Sequence, residues 1–173
     1  MTPPIVNLAD LTPQPRPPEY TPPPAIAARI DAHMARIGPL LGLKGLGCSL
    51  IAVAPGKQAF PFHSHRHADE LFVVLAGRGE LRYGSGRHAL REGDVIGCPP
   101  GAADTAHAIT NTGTTELRYL AISTQPTLEV CDYPDSGKFA LYDEAAPTAA
   151  CGAPQFWRFV GRDGQHLDYW DGE

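Results

Sequence analysis

Read for the spacing of apolar and polar positions, the chain changes character at Gly45. Before it, "AIAARIDAHMARI" places Ile26, Ile30, Met34 and Ile37 at helical spacing. Pro22–Pro24 suit a helix start and Gly38-Pro39 a helix end, so the spacing predicts one helix over Ala25–Ile37 with His33 on its solvent side. From Gly45 onward, β-formers come in short runs broken by turn residues. "GLGCSLIAVAPG", "ELFVVLAG" and "GDVIGCPPG" each read as a strand. "GELRYGSGRHAL" reads as a hairpin turning at Gly84-Ser85-Gly86, "HAITNTGTTELRYLAIST" as a hairpin turning near Gly113, and "TLEVCDY" as one more strand. Short strands at close spacing predict an all-β antiparallel sandwich or barrel.

The two ends read differently. Residues 1–24 hold nine of the 18 prolines. Proline lacks the amide donor and fixes φ, so this stretch is neither helix nor central strand. It reads either as an extended arm, lying over the domain or reaching a neighbouring subunit, or as a disordered tail. The last segment is loop-rich, with Phe156, Trp157, Phe159, Tyr169 and Trp170 as aromatic anchors expected to pack back on the barrel. The expected division is 1–44 for arm and helix, 45–134 for the barrel, and 135–173 for the C-terminal segment.

Composition narrows the class. A chain of 173 residues suits one domain with a real core. Fourteen Lys and Arg against 19 Asp and Glu give a net charge of −5, with no basic block, which argues against a nucleic-acid or anionic-membrane partner. No apolar run approaches the ~20 residues of a membrane span. The first 20 residues lack the basic and apolar regions of a signal peptide, so a cytoplasmic protein is expected. Cys48, Cys98, Cys131 and Cys151 are far apart and read as free thiols in a reducing compartment.

The candidate chemistry lies in "PFHSHRHADELFVVLAG". On a strand, residues two apart share a face, so His63 and His65 project together, as two ligands of one ion would. Glu70 opens the next strand, sharing parity with Phe72 and Val74. Its carboxylate reaches the same point if that strand pairs beside the histidines. His107, at the start of a later strand, is a fourth candidate. Neutral imidazoles with one carboxylate form a typical site for a divalent transition metal, and open coordination positions would admit water or substrate.

These residues carry a resemblance. Gly56, His63-Ser64-His65, Glu70 and Gly77 resemble the first motif of the cupin superfamily, with the first gap one residue longer than usual. Gly93, Pro99-Pro100-Gly101, His107 and Asn111 resemble its second motif, with the insertion "AADTA" lengthening the gap before the histidine. The resemblance covers about Gly45 to Tyr133. It implies a double-stranded β-helix (jelly-roll) barrel, here with one N-terminal helix. It also implies that His63, His65, Glu70 and His107 ligate one divalent ion inside the barrel. Zn, Fe, Mn and Ni all fit that donor set, and the ligand types do not choose among them.

His67 reads as a rim residue rather than a ligand, Asp69 as exposed, His88 and His166 as surface residues, and Asp104 as a turn residue. Cys98 reads as a buried inert thiol. Arg66, Arg118, Tyr119 and Tyr133 are candidates for gripping a polar substrate. Two functions remain open at this point. One is an enzyme of dioxygenase, isomerase or lyase type acting on a small oxygen-rich molecule. The other is a non-catalytic small-molecule binder or sensor, since one fold hosts many functions. A homodimer is expected, because small barrels leave edges and apolar faces that association can cover.

Overall fold

A computed structural model describes residues 4–143, 157–164 and 167–172. Twelve strands account for nearly all of the regular structure. In chain order they are β1 (His33–Arg36), β2 (Leu46–Val53), β3 (Ser64–His65), β4 (Glu70–Ala76), β5 (Arg78–Tyr83) and β6 (Gly86–Arg91), then β7 (Val95–Cys98), β8 (His107–Thr110), β9 (Leu117–Thr124), β10 (Leu128–Tyr133), β11 (Lys138–Asp143) and β12 (Trp157–Arg162). They form three antiparallel sheets, ordered β1-β2-β9-β4-β7, β12-β11-β10-β3 and β6-β5-β8. One buried cluster draws Ile51, Val53, Phe72, Val74, Leu117 and Tyr119 from the five-stranded sheet and Leu81, Leu90 and Ile109 from the three-stranded one. The inward residues of two sheets thus share one core, as in a jelly roll.

The β4–β5 corner depends on a glycine. Gly77 has φ of +87°, and a Cβ there would meet the Glu116 carbonyl oxygen at 2.6 Å. Only glycine combines that left-handed backbone with so close an approach. The strand before it bulges between Val74 and Ala76 to reach this corner.

The helix expected over Ala25–Ile37 is not formed. Helix α1 spans only Pro24–Ala27, and β1 follows. A spacing of four fits one helical turn and also two strand repeats, so Ile30 and Met34 satisfy both patterns. "IDAHM" decides between them: Ile30 and Ala32 are buried while His33 is exposed. The backbone is then held from both sides. Met34 pairs with Ile51 of β2 and exchanges two hydrogen bonds with Gln14 of the arm. His33 is a surface residue, but on a strand. The arm lies over the same domain. Arg16 donates to the Ala59 carbonyl and stacks over Phe60 at 4.6 Å.

Two further expectations need correction. The strands around Gly113 do not pair as a hairpin: β8 joins β5, whereas β9 lies between β2 and β4. Asn111 organises that turn instead. It is fully buried and donates to the carbonyls of Val53 and Thr115 at 2.7 and 2.8 Å, while its oxygen accepts from the Gly113 amide. The C-terminal segment is not loop-rich where it is described, because β11 and β12 extend the sheet from β10. It is joined by backbone pairing and not by aromatic anchors. Trp157, Phe159, Tyr169 and Trp170 are all exposed, and Phe156 lies outside the described residues.

Candidate metal centre

The four candidate side chains arrive from three sheets. His65 ends the two-residue β3, which pairs only with Asp132 and Cys131 of β10. His63, two residues earlier, makes an isolated antiparallel bridge to His107, the first residue of β8. Glu70 opens β4, which pairs with β7 and β9 and not beside the histidines. The condition of adjacent strands is not met, and the carboxylate instead reaches the imidazoles across the barrel interior. Phe72 and Val74, on its face of β4, are buried in the core as their parity requires.

Around Glu70 Oε2, the Nε2 atoms of His107, His65 and His63 lie at 2.7, 3.4 and 3.9 Å. The donor atoms of His63, Glu70 and His107 all lie within 4.8 Å of one another. Donors bound at ~2.1 Å in tetrahedral or octahedral geometry stand about 3.0–3.4 Å apart, so this group of three could share one ion after small movements, whereas His65 lies outside the group and touches it through Glu70 at 3.4 Å. The far nitrogen of each ring is engaged elsewhere. His63 Nδ1 meets the Pro61 carbonyl at 2.9 Å, His107 Nδ1 the Thr105 carbonyl at 3.3 Å, and His65 Nδ1 the Cys131 thiol at 3.3 Å. All three rings consequently present Nε2, the nitrogen a shared ion would need.

The surroundings are apolar and aromatic. Phe72 packs on His107 at 5.6 Å, and Tyr133 stacks on His63 at 6.1 Å, across from Phe60. Burial pushes the His63 imidazolium down to about 4, with His107 adding to the effect. Burial alone would raise the Glu70 carboxyl, but the His107 hydrogen bond and the other imidazoles hold it well below the ordinary carboxylate range. His107 shows the converse balance. Its burial disfavours the charged ring, yet hydrogen bonds to Cys98 and Glu70 raise it above the usual histidine value. Glu70 and His107 thus each favour the other's charged form, and a cation bound there would take the place of the shared proton.

The other singled-out residues sort clearly. His67 has its side chain 55 % exposed and sets its Nδ1 3.5 Å from Glu129. Asp69, His88 and Asp104 are exposed, the last in a turn, and His166 lies outside the described residues. Cys98 and Cys131 are buried free thiols, Cys48 is partly buried, and Cys151 is not among the described residues. Of the four proposed gripping residues, only Tyr133 stands at the cluster. Arg66 forms a fork with Asp132, Arg118 leans on Glu116, and Tyr119 is buried in the core. Glu129 and Cys131, which border His65, were not singled out by sequence reading. Their signal was the alternation in "LEVCDY", which puts Glu129, Cys131 and Tyr133 on one face of β10.

A family model described as the cupin domain matches residues 49–123. Auxin-binding protein 1 of Arabidopsis thaliana is 35% identical over 112 residues, covering 60% of this chain and 55% of that protein. An uncharacterised protein of Methanocaldococcus jannaschii is 32% identical over 84 residues, 48% of this chain and 65% of its own. The chain thus spans between about half and two thirds of these curated relatives. A provisionally named sugar phosphate isomerase from Acidithiobacillus ferrooxidans superposes with a TM-score of 0.64 at 29% identity, covering 75% of this chain and 76% of that one. A sugar phosphate isomerase from Silicibacter pomeroyi superposes with a TM-score of 0.72 over 96% of this chain and 98% of that one; at 21% identity, this is a likeness of fold.

Proposed function

We propose that this chain, which carries a cupin domain over residues 49–123, is a metal-dependent enzyme of isomerase or lyase type acting on a small oxygen-rich molecule. The observation that carries the reading is the convergence of three Nε2 atoms on one carboxylate oxygen, each ring anchored through its other nitrogen. His63, His65, Glu70 and His107 would hold one divalent ion, of the zinc, iron, manganese or nickel class. When bound, such an ion supplies a Lewis acid for substrate oxygens, or redox chemistry if it is iron.

The chain's own residues supply the rest. Phe60, Phe72 and Tyr133 wall the imidazoles and keep the local dielectric low, which strengthens every charge interaction there. The Tyr133 ring stacks on His63, and its hydroxyl stands 3.2 Å from that of Tyr142, a pair able to donate to or accept from a substrate oxygen. Sheet register continues the His65 face through Cys131 and Tyr133 to Lys138, Tyr142 and Arg158. Lys138 lies over the Tyr133 ring at 5.1 Å and Arg158 over Tyr20 at 5.3 Å. Two cations on the face that bears the cluster suit a substrate with a carboxylate or phosphate. The likeness to the Acidithiobacillus protein, whose name gives sugar phosphate isomerase, supports proton-transfer chemistry on such a molecule.

A second reading is a non-catalytic binder, favoured by the 35% identity to a protein named for binding auxin. Anaerobic purification with metal analysis, then a screen of sugar phosphates and small carboxylic acids, separates the two. The enzyme reading expects about one divalent ion per chain and turnover that His107→Ala abolishes. Saturable binding without turnover would replace it by the second.

Association into a homodimer belongs to the same proposal. Leu128, Trp157 and Phe159 are exposed on one face of the outer sheet, where Trp157 stacks on Phe159 and Phe159 on Phe139. A second copy could cover that face. Sedimentation at micromolar concentration should show a species of twice 18.5 kDa, and a purely monomeric boundary would refute it.

A further inference from the structure

Glu129 is a buried carboxylate whose position the metal reading leaves unused. It projects from β10 into the turn that carries the chain from His65 to Glu70. Its Oε1 accepts from the amides of Arg66, His67 and Val130 at 3.1, 3.2 and 2.7 Å, and its Oε2 accepts from Ala68 at 2.7 Å. The same two oxygens face imidazoles: Oε2 lies 3.7 Å from His65 Nδ1 and Oε1 3.5 Å from His67 Nδ1. Burying a carboxylate is costly, and four amide donors offset that cost.

The turn explains why they are needed. After His65 the chain must leave the four-stranded sheet and enter the five-stranded one by Glu70. Amides in such a crossing have few ladder partners, and buried amides need acceptors. Arg66 still reaches the Val130 carbonyl, and the Thr124 hydroxyl takes the Asp69 amide. Glu129 serves those of His67 and Ala68 and shares that of Arg66. The carboxylate therefore sets where His65 leaves one sheet relative to where Glu70 enters the other.

His65 also differs from its two neighbours in its anchor. His63 and His107 rest on backbone carbonyls, which substitution cannot remove. His65 Nδ1 faces only side chains, the Cys131 thiol and the Glu129 carboxylate. A thiol can donate to Nδ1, which would put the ring proton on Nε2 and spoil it as a ligand. An ionised carboxylate only accepts, so its charge favours the proton on Nδ1 and leaves Nε2 free.

We propose that Glu129 is the positioning residue of the centre, fixing the His65–Glu70 turn and presenting His65 Nε2 to the ion. The proposal rests on the metal reading above, and its test separates the two. Glu129→Gln keeps the shape and an acceptor oxygen but removes the charge. In the full chain, far-ultraviolet circular dichroism checks folding and a chromophoric chelator measures zinc affinity. Nitrogen-15 spectra of the histidine rings report each imidazole. The expected result is zinc binding weakened about 10–100-fold, the usual cost of losing a partner behind a ligand. The ring signals of His65 should move while those of His63 and His107 stay. Ile96→Val, which trims the core elsewhere, should lower stability and leave affinity unchanged. A folded Glu129→Gln with affinity within about twofold of wild type, by the same yardstick, and an unmoved His65 overturns the proposal. If Glu129→Gln does not fold, Glu129→Asp retains the charge one methylene short. A smaller affinity loss with a shifted His65 supports the proposal there, and wild-type behaviour overturns it. A wild-type protein that binds none of zinc, iron, manganese and nickel sinks the metal reading; the ring spectra of the metal-free pair then decide for Glu129 by the same criterion.

Discussion

β9 and β3 stand at opposite ends of a range. β9 runs for eight residues and pairs along its whole length with β2, while its other edge takes β4. β3 has two residues and one neighbour. The first is held by ladder bonds and by the burial of Leu117 and Tyr119. The second is held by a two-residue ladder with β10 and by Glu129 of β10, which takes the amides of the turn just after it. Both carry the candidate centre, since β9 supports the strand that bears Glu70 and β3 bears His65. Rigid ladders place one ligand, and a side-chain network places another.

The contrast can be broken at its chemical end first. His65→Ala and His107→Ala should each weaken divalent-metal binding by more than the ~10–100-fold expected for losing an outer partner, as read by chelator competition on folded protein. Retention of full metal content by either variant would remove that residue from the ligand set. Metal occupancy should also fall in acid. Protons compete for the same nitrogens, and His107 holds its proton above the usual histidine value, so occupancy starts to fall above the ~6.5 of ordinary histidine, is lost as pH drops further and returns as pH rises, as metal analysis after dialysis would record.

At the ladder end, Leu117→Ala removes a fully buried side chain and should cost about 2–5 kcal/mol in urea unfolding, with metal affinity of the folded fraction unchanged. Asn111→Ala should cost less, about 1–3 kcal/mol, because two carbonyls and one amide lose their partner at the β8–β9 turn. Metal content should again be unaffected, which would mark this motif residue as structural. The smallest effect belongs to His67→Ala. Its ring is exposed and sits beside Glu129, so both stability and metal content should stay near wild type. Loss of the ion there would move the centre onto the His63-His65-His67 stretch.

The same contrast explains what the sequence could disclose. β2 and the strands from β4 through β10 are visible as β-rich runs between turn residues, because alternation and burial act over many residues at once. The His63, His65, Glu70 and His107 set is visible as a candidate because its members sit in two stretches that resemble known motifs, each with one lengthened gap. What escaped depends on partners distant in the chain. "AIAARIDAHMARI" meets a helical template, but the free edge of β2 recruits it as β1. "HAIT" and "LRYLAIST" look like neighbours, and only the third sheet reveals that β8 belongs to β5. For Glu129 the alternation of "LEVCDY" gives the face it shares with Cys131 and Tyr133 but not its partners. Its meaning comes from a turn 61 to 63 positions earlier.

Because its members belong to three sheets, the cluster has a place in time as well as in space. His63 and His65 are near one another in any conformation, but Glu70 and His107 are 37 positions apart and pair into different sheets. Closing such separations is the slow part of assembling a β-rich chain. The four groups therefore meet only when the last sheet docks, and no single hairpin can form a partial site. Whatever grips the full set selects the completed barrel over every earlier state and must let go before the barrel opens, so it should slow unfolding more than it speeds folding.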